Sequence, residues 1–244
     1  MKQSYKIVIS YDGTEYHGWQ LQPRKKTIQG TLEDALFRFR SRRIPVQGAG
    51  RTDAGVHALG QVASFQADLD LDDAELLRAL NGQLPDDIRV LSLERVDDTF
   101  HARKSARSKV YRYRIMNTRP ISPFDVRYAL HWPGPLDVGK MKTAAGLFVR
   151  EADFTSFSSN RLRHPVRKVT RSEIGASGGE ITYTVEANGF LQYMVRTMVG
   201  TLLEVGKGRV EPGAIEELFE HRARTVGATP TAPARGLCLI RVDY

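Results

Sequence analysis

The chain predicts an α+β fold made of two related halves, each a split βαβ unit, meeting in a central cleft. Three observations carry this. Residues 4–96 read as βαββαβ, a similar order recurs from Lys109, and 244 residues with 41% apolar content suffice for one large or two small domains with cores.

In the first half, Ser4–Tyr11 alternates polar and apolar residues as a half-buried strand does. Ile28, Leu32, Ala35, Leu36 and Phe39 form a helical stripe behind a Thr27 cap. The runs Ile44–Gln47 and Gln61–Ala67 read as extended, Asp72–Asn81 as a helix and Ile88–Val96 as a strand.

The second half offers strand Lys109–Met116, helix Asp137–Val149, strands Arg167–Ile174 and Glu180–Ala187, and helix Phe190–Val205. An extra helix, Glu211–Arg222, precedes a closing strand, Gly236–Val242. The divide falls within Phe100–Ser108, giving an amino-terminal domain over 1–103 and a carboxy-terminal domain over 104–244.

The stretch GAGRTDAGVHA, Gly48–Ala58, interrupts the first half with Pro45 before it and Gly48, Gly50, Gly55 and Gly60 punctuating it. Asp53 therefore sits on a connection between two strands. Glycines let another backbone approach closely, and Arg51 beside the carboxylate helps to keep it ionised, so the loop reads as a site. The plainer alternative is an Asp that bonds its own backbone in a turn.

Neither common nucleotide motif fits. A GxGxxG fingerprint begun at Gly48 and Gly50 would need glycine at position 53, where Asp53 would set a carboxylate against a pyrophosphate. In GTLLEVGK, Gly200–Lys207, five residues rather than four separate the glycines, and Gly208 stands where Ser or Thr should hold magnesium.

Thirty-six Lys and Arg against 28 Asp and Glu give a formal charge of +8, which favours a polyanionic partner but equally suits a basic fold kept soluble by its charge. The single cysteine, Cys238, lies in an apolar run and reads as a small hydrophobe in a reducing compartment. MKQSYKIVISYDG reaches Asp12 before a signal-peptide core forms, and no run approaches the ~20 apolar residues of a membrane span, so a cytoplasmic protein with no membrane partner is expected.

Helix Phe190–Val205 is apolar on nearly every face yet carries Arg196. An unpaired buried guanidinium costs several kcal/mol, so Arg196 must reach water or a carboxylate. Gln192, Arg196 and Gly200 share one helical face. Asp53 is one candidate anion if that face lines the cleft, while Glu204 and Glu173 are candidates for a purely structural pair.

FHARKSARSKVYRYRI, Phe100–Ile115, interleaves Lys and Arg with His101, Tyr111 and Tyr113. Cations neutralise phosphates and rings stack on unpaired bases, as single-stranded nucleic acid requires. The same pattern serves a strand with its aromatic face packed inward and Arg112 and Arg114 solvated.

Together with YDGTEYHGWQ, TIQGTLEDAL, GAGRTDAGVHALGQV, LPDDIRV, DFTSF, FLQYMVRTMVGTLLEVG and TAPARGLCL, these stretches closely resemble the tRNA pseudouridine synthase A family over almost the whole length and in the family's order. The GRTDAGVHA block is the most specific. The resemblance implies the pseudouridine synthase fold, two ferredoxin-like, RNA-recognition-like halves with a central positively charged cleft. It implies conversion of uridine to pseudouridine at positions 38, 39 and 40 of the tRNA anticodon stem-loop, by a homodimer needing no cofactor and no metal. The family's essential aspartate falls on Asp53, its base-stacking tyrosine on Tyr111, the arginine that pairs with the aspartate on Arg196, and the arginine associated with holding the flipped nucleotide on Arg51. The loop Ser158–His164 is individual to this chain.

That chemistry breaks N1–C1′, turns the uracil and joins C5 to C1′ without redox change or phosphate transfer. A carboxylate can serve as nucleophile in a covalent route, and Tyr111 is a candidate to take the C5 proton if its phenol is activated. Whether Asp53 attacks C1′, adds to C6 or promotes a glycal stays open. Two competitors are metal catalysis around Asp53 and His57, unsupported by HExxH or a cysteine cluster, and a noncatalytic RNA-binding module, which leaves the Asp53 loop unexplained.

Overall fold

The computed structural model describes residues 2–40, 42–159, 164–221 and 229–244. It is a mixed α+β structure dominated by β-sheet, in two compact units: Met1–Arg107 with Cys238–Tyr244, and Ser108–Leu237. The first unit runs β1 (Gln3–Tyr11), α1 (Ile28–Arg40), β2 (Gln47–Gly48), β3 (His57–Ala67), α2 (Asp73–Gln83) and β4 (Ile88–Val96). The second runs β5 (Ser108–Met116), β6 (Leu130–His131), α3 (Val138–Gly146), β7 (Glu151–Asp153), β8 (Val166–Ser177), β9 (Glu180–Ala187), α4 (Met194–Gly206) and α5 (Ala214–His221). The final strand, β10 (Leu237–Asp243), returns to the first unit.

β1 is central in the first unit because alternation gives it two useful faces. Tyr5, Ile7, Ile9 and Tyr11 are buried, and it pairs antiparallel with β3 on one side and β4 on the other. β2 and β10 share the far edge of β3, β2 antiparallel at Ala63 and Ser64, β10 parallel at His57 and Ala58. Val8 and Val62 on the opposite face are covered by Phe100, Ala102, Val242 and Tyr244. Opposite Ser10, β3 carries one extra residue: Ile9 faces Gln61 but Tyr11 faces Ala58. Such a bulge turns the strand locally, here as it leaves the Asp53 loop.

Caps set the helix starts. The Gly30 N–H donates to Thr27 Oγ1 at 3.2 Å, and α1 buries Ile28, Leu32, Ala35 and Leu36. Asp72 accepts from the Glu75 N–H at 2.7 Å while the Asp72 N–H donates to Glu75 Oε2 at 3.1 Å, a reciprocal cap that begins α2 one residue inside its expected start.

In the second unit β5, β9, β8 and β7 form an antiparallel series, with β6 beside β5. α3 packs on β8 and α4. β6 and β7, of two and three residues, were not anticipated because so short a run shows no periodicity.

Two expectations are corrected. The strand expected over Ile44–Gln47 is only Gln47–Gly48, since Pro45 cannot donate to a ladder. α4 begins at Met194, not Phe190: Tyr193 takes φ +61°, a left-handed conformation that cannot continue a helix, so Gln192 lies outside the face shared by Arg196 and Gly200. A parallel pairing of the closing strand with β3, at His57 and Ala58, was not anticipated, because sequence order does not encode it. Residues 160–163, within the individual loop, and Arg222, expected to end the extra helix, lie outside the described residues. Among the described residues no helix is long and apolar enough to cross a membrane.

Candidate active site

The loop between β2 and β3 is pinned at nearly every peptide. The Ala49 N–H donates to Val62 O at 2.7 Å, and Gln61 Nε2 donates to Gly50 O at 3.0 Å. The Trp19 N–H donates to Thr52 O at 3.0 Å, and the Gly55 N–H to Tyr16 O at 3.3 Å. The Val56 N–H closes a turn on the Asp53 backbone oxygen at 3.1 Å. Asp53 itself is half-buried.

The bracing loop, residues 12–19, approaches so closely that only glycine fits at its contacts. A Cβ at Gly18, whose φ is +84°, would lie 2.5 Å from Thr52 O and 3.0 Å from the Asp53 carbonyl carbon. One at Gly13 would lie 2.0 Å from Val56 O. Gly55 also has a positive φ, +77°, and so bends the chain just after Asp53 without strain. One at Gly48 would meet the Trp19 ring at 2.4 Å.

Tyr11 and Thr52 hydroxyls meet at 2.8 Å, both buried, with Gln61 Nε2 3.5 Å from the phenol oxygen. Burial pushes the Tyr11 hydroxyl well above the usual phenol value, so it is a neutral hydrogen-bonding group here. His57, four residues beyond Asp53, belongs to the brace: the Gly13 N–H donates to its Nδ1 at 3.1 Å, with Asp12 Oδ1 also 3.1 Å away. Among the described residues no three His, Cys, Asp or Glu side chains gather as a metal-binding group. Arg51 is exposed.

In the second unit Tyr111 sits on β5 opposite Val185, buried, with Phe190 edge-on to its ring at 5.2 Å. Tyr113, on the same face, is fully buried and donates its hydroxyl to Pro233 O at 2.8 Å, and burial raises its pKa. Arg112 on the other face is exposed, as are Arg103, Lys104 and Arg107. Arg114 is not simply solvated: its Nε donates to Glu180 at 2.6 Å and its guanidinium also holds Asp125 at 3.0 Å. The strand thus has an inward aromatic face and a largely outward cationic one.

Arg196, half-buried on α4, is fixed to the following segment. Its Nε donates to Ala232 O at 2.8 Å, the Ala232 N–H donates back to Arg196 O at 3.0 Å, and the guanidinium stands 5.0 Å from the Tyr193 ring centre. A Cβ at Gly200, one turn on, would lie 1.8 Å from Pro230 O. The acids weighed as structural partners hold other cations: Glu204 pairs with Lys207 and Arg209, and Glu173 with Arg171.

Asp53 and Arg51 therefore belong to the first unit, Tyr111 and Arg196 to the second. Sequence reading missed the residues that hold them: Tyr11, Trp19 and Gln61 around the loop, and Pro230 and Ala232 against α4. The visible signal was Gly13 and Gly18 in YDGTEYHGWQ, at positions where a neighbouring backbone excludes a side chain.

The family model described as tRNA pseudouridine synthase matches residues 7–103 and 144–244. The chain is similar to tRNA pseudouridine synthase A of Moorella thermoacetica, 45% identical over 98% of both chains, and to that of Thermodesulfovibrio yellowstonii, 42% identical over 98% of both. It is 44% identical to the protein of the same name from Methylacidiphilum infernorum, over 98% of this chain and 95% of that one.

Proposed function

We propose, because this chain belongs to the tRNA pseudouridine synthase family, that its isomerisation of tRNA uridine is directed at positions 38, 39 and 40 of the anticodon stem-loop. Membership makes it an isomerase acting on tRNA. The proposed roles are Asp53 as the reacting carboxylate, Arg196 as the guanidinium that keeps it ionised, Tyr111 as the ring stacked on the target base, and Arg51 as a hold on the extruded nucleotide.

The observation that carries this reading is the caged loop: a half-buried carboxylate on a backbone fixed at Ala49, Gly50, Thr52, Gly55 and Val56. Preorganisation of that kind serves chemistry in which a group must meet one atom of a substrate. The glycosidic N1–C1′ bond breaks, the uracil turns, C5 bonds to C1′, N1 gains a proton and C5 loses one. None of these steps needs an oxidant.

The reading extends to two ferredoxin-like halves, residues 1–103 and 104–244, with a positively charged cleft, and to a homodimer in the cytoplasm. The strand order of the first unit, β4-β1-β3 with β2 beside β3, and the formal charge of +8 support it. Light scattering with gel filtration tests the dimer, and a monomer at working concentration counts against it.

The deciding experiment follows tritium release from C5-labelled tRNA and maps the product. Release is expected to survive EDTA and to vanish in Asp53→Ala while tRNA still binds, with pseudouridine at positions 38 to 40. Chelator-sensitive release, binding without release in the parent protein, or product at other positions would each overturn a stated part of the proposal.

A further inference from the structure

Thr52, immediately before the candidate carboxylate, is gripped twice. Its carbonyl accepts from the Trp19 N–H at 3.0 Å and its hydroxyl meets the Tyr11 phenol at 2.8 Å. Thr52, Tyr11 and Gln61 are all buried, Gln61 completely. In so dry a place a hydrogen bond resists exchange with water, and the direction of its proton is set by what surrounds it.

That direction follows from Gln61. Its amide nitrogen faces Gly50 O at 3.0 Å, and the reverse orientation would set two carbonyl oxygens against each other. The same nitrogen lies 3.5 Å from the Tyr11 hydroxyl, to which it can only donate. Tyr11 therefore receives from Gln61 and gives its own proton to Thr52 Oγ1. The bulge in β3 turns this corner, pairing Ile9 with Gln61 and Tyr11 with Ala58.

We propose that the Gln61–Tyr11–Thr52 relay fixes the direction in which Asp53 leaves the backbone, making Tyr11 and Thr52 positioning residues for the isomerisation. With Thr52 held at Oγ1 and at O, the peptide joining it to Asp53 cannot swing. A Cβ at Gly18 would come within 3.0 Å of the Asp53 carbonyl carbon, so the bracing loop leaves that peptide little room to shift. The inference rests on Asp53 being the reacting carboxylate.

The test compares kcat, KM and tRNA affinity for Tyr11→Phe, Thr52→Val, Thr52→Ser and the double variant Tyr11→Phe with Thr52→Val, alongside Asp53→Ala and thermal unfolding of each. A misplacement of about 1 Å costs about 100-fold in rate, so kcat is expected to fall by about 10- to 100-fold in Tyr11→Phe and Thr52→Val. KM and tRNA affinity stay at parental values. Thr52→Ser, which keeps the hydroxyl, recovers most of the rate, and the double variant is no slower than the slower single, because both break the same Tyr11–Thr52 bond.

Undiminished kcat in Tyr11→Phe overturns the inference, as does a fall in rate that only tracks lost tRNA affinity and lowered melting temperature. Asp53→Ala separates the two levels. If Asp53→Ala is silent and Tyr11→Phe runs at full speed, only the positioning role falls. If Asp53→Ala still turns over, the assignment of the carboxylate falls and the positioning role with it.

Discussion

Arg196 and Ala232 hold each other through two opposed hydrogen bonds, Arg196 Nε to Ala232 O at 2.8 Å and the Ala232 N–H to Arg196 O at 3.0 Å. One bond anchors the backbone of the helix, the other the side chain, so the guanidinium is aimed before any substrate arrives. Lysine has no counterpart of Nε and presents a point charge on a flexible stem. Arg196→Lys is therefore expected to lose about 100-fold or more in tritium release with little change in tRNA binding. An undiminished rate would contradict its role.

Gly200 lets residues 230–232 lie against α4, where a Cβ would come within 1.8 Å of Pro230 O. Neither backbone can give way cheaply. Gly200→Ala is expected to cost about 1–3 kcal/mol and lower the melting temperature by roughly 2–12 °C. The same displacement pulls Ala232 away from Arg196, so turnover falls with stability. Differential scanning calorimetry and the tritium assay on one preparation check both.

Gly18→Ala carries two penalties, a left-handed φ of +84° and a contact of 2.5 Å with Thr52 O. Its distinguishing result is that turnover falls further than stability. The residue presses on the backbone that carries Asp53, so a shift small enough to leave a folded protein still moves the carboxylate. Equal melting temperature and equal rate in the variant would remove the loop brace from the mechanism.

Acid stability should record the pair between Arg150 and Glu216, whose guanidinium and carboxylate meet through bonds of 2.6 and 2.7 Å. The guanidinium holds the Glu216 carboxyl below its ordinary value of 4.5. Because the folded state favours the ionised form, the stabilisation is present above pH 4.5 and disappears as pH falls through the lowered value. Glu216→Gln is expected to melt slightly below the parent near neutral pH and to converge with it as the pH falls below the lowered value, where the carboxyl is protonated in both states. Added salt should shrink the difference, as the pair is partly exposed.

What the sequence revealed and what it concealed divide along physical lines. Ile88–Val96 and Glu180–Ala187 were readable to the residue because period-two patterning and flanking turns are local signals. The Thr27 cap was legible for the same reason. Asp53 stood out through its glycines. The start of α4 did not, because Phe190–Tyr193 is as apolar as the helix and only the positive φ of Tyr193 excludes it. Nor did the Tyr11–Thr52 bond, which joins residues 41 apart in sequence. Long-range pairing of that sort leaves no periodic trace, and the parallel seat of β10 beside His57 belongs to the same class.

That seat carries a consequence for how the molecule is made. β10 completes the edge of β3 where the Asp53 loop rejoins the sheet, yet a ribosome delivers it only after all of Ser108–Leu237. A nascent chain that has emerged only as far as Arg107 holds the Asp53 loop on a sheet still missing its neighbour. The edge of β3 beside that loop is thus completed only after the intervening unit has been synthesised.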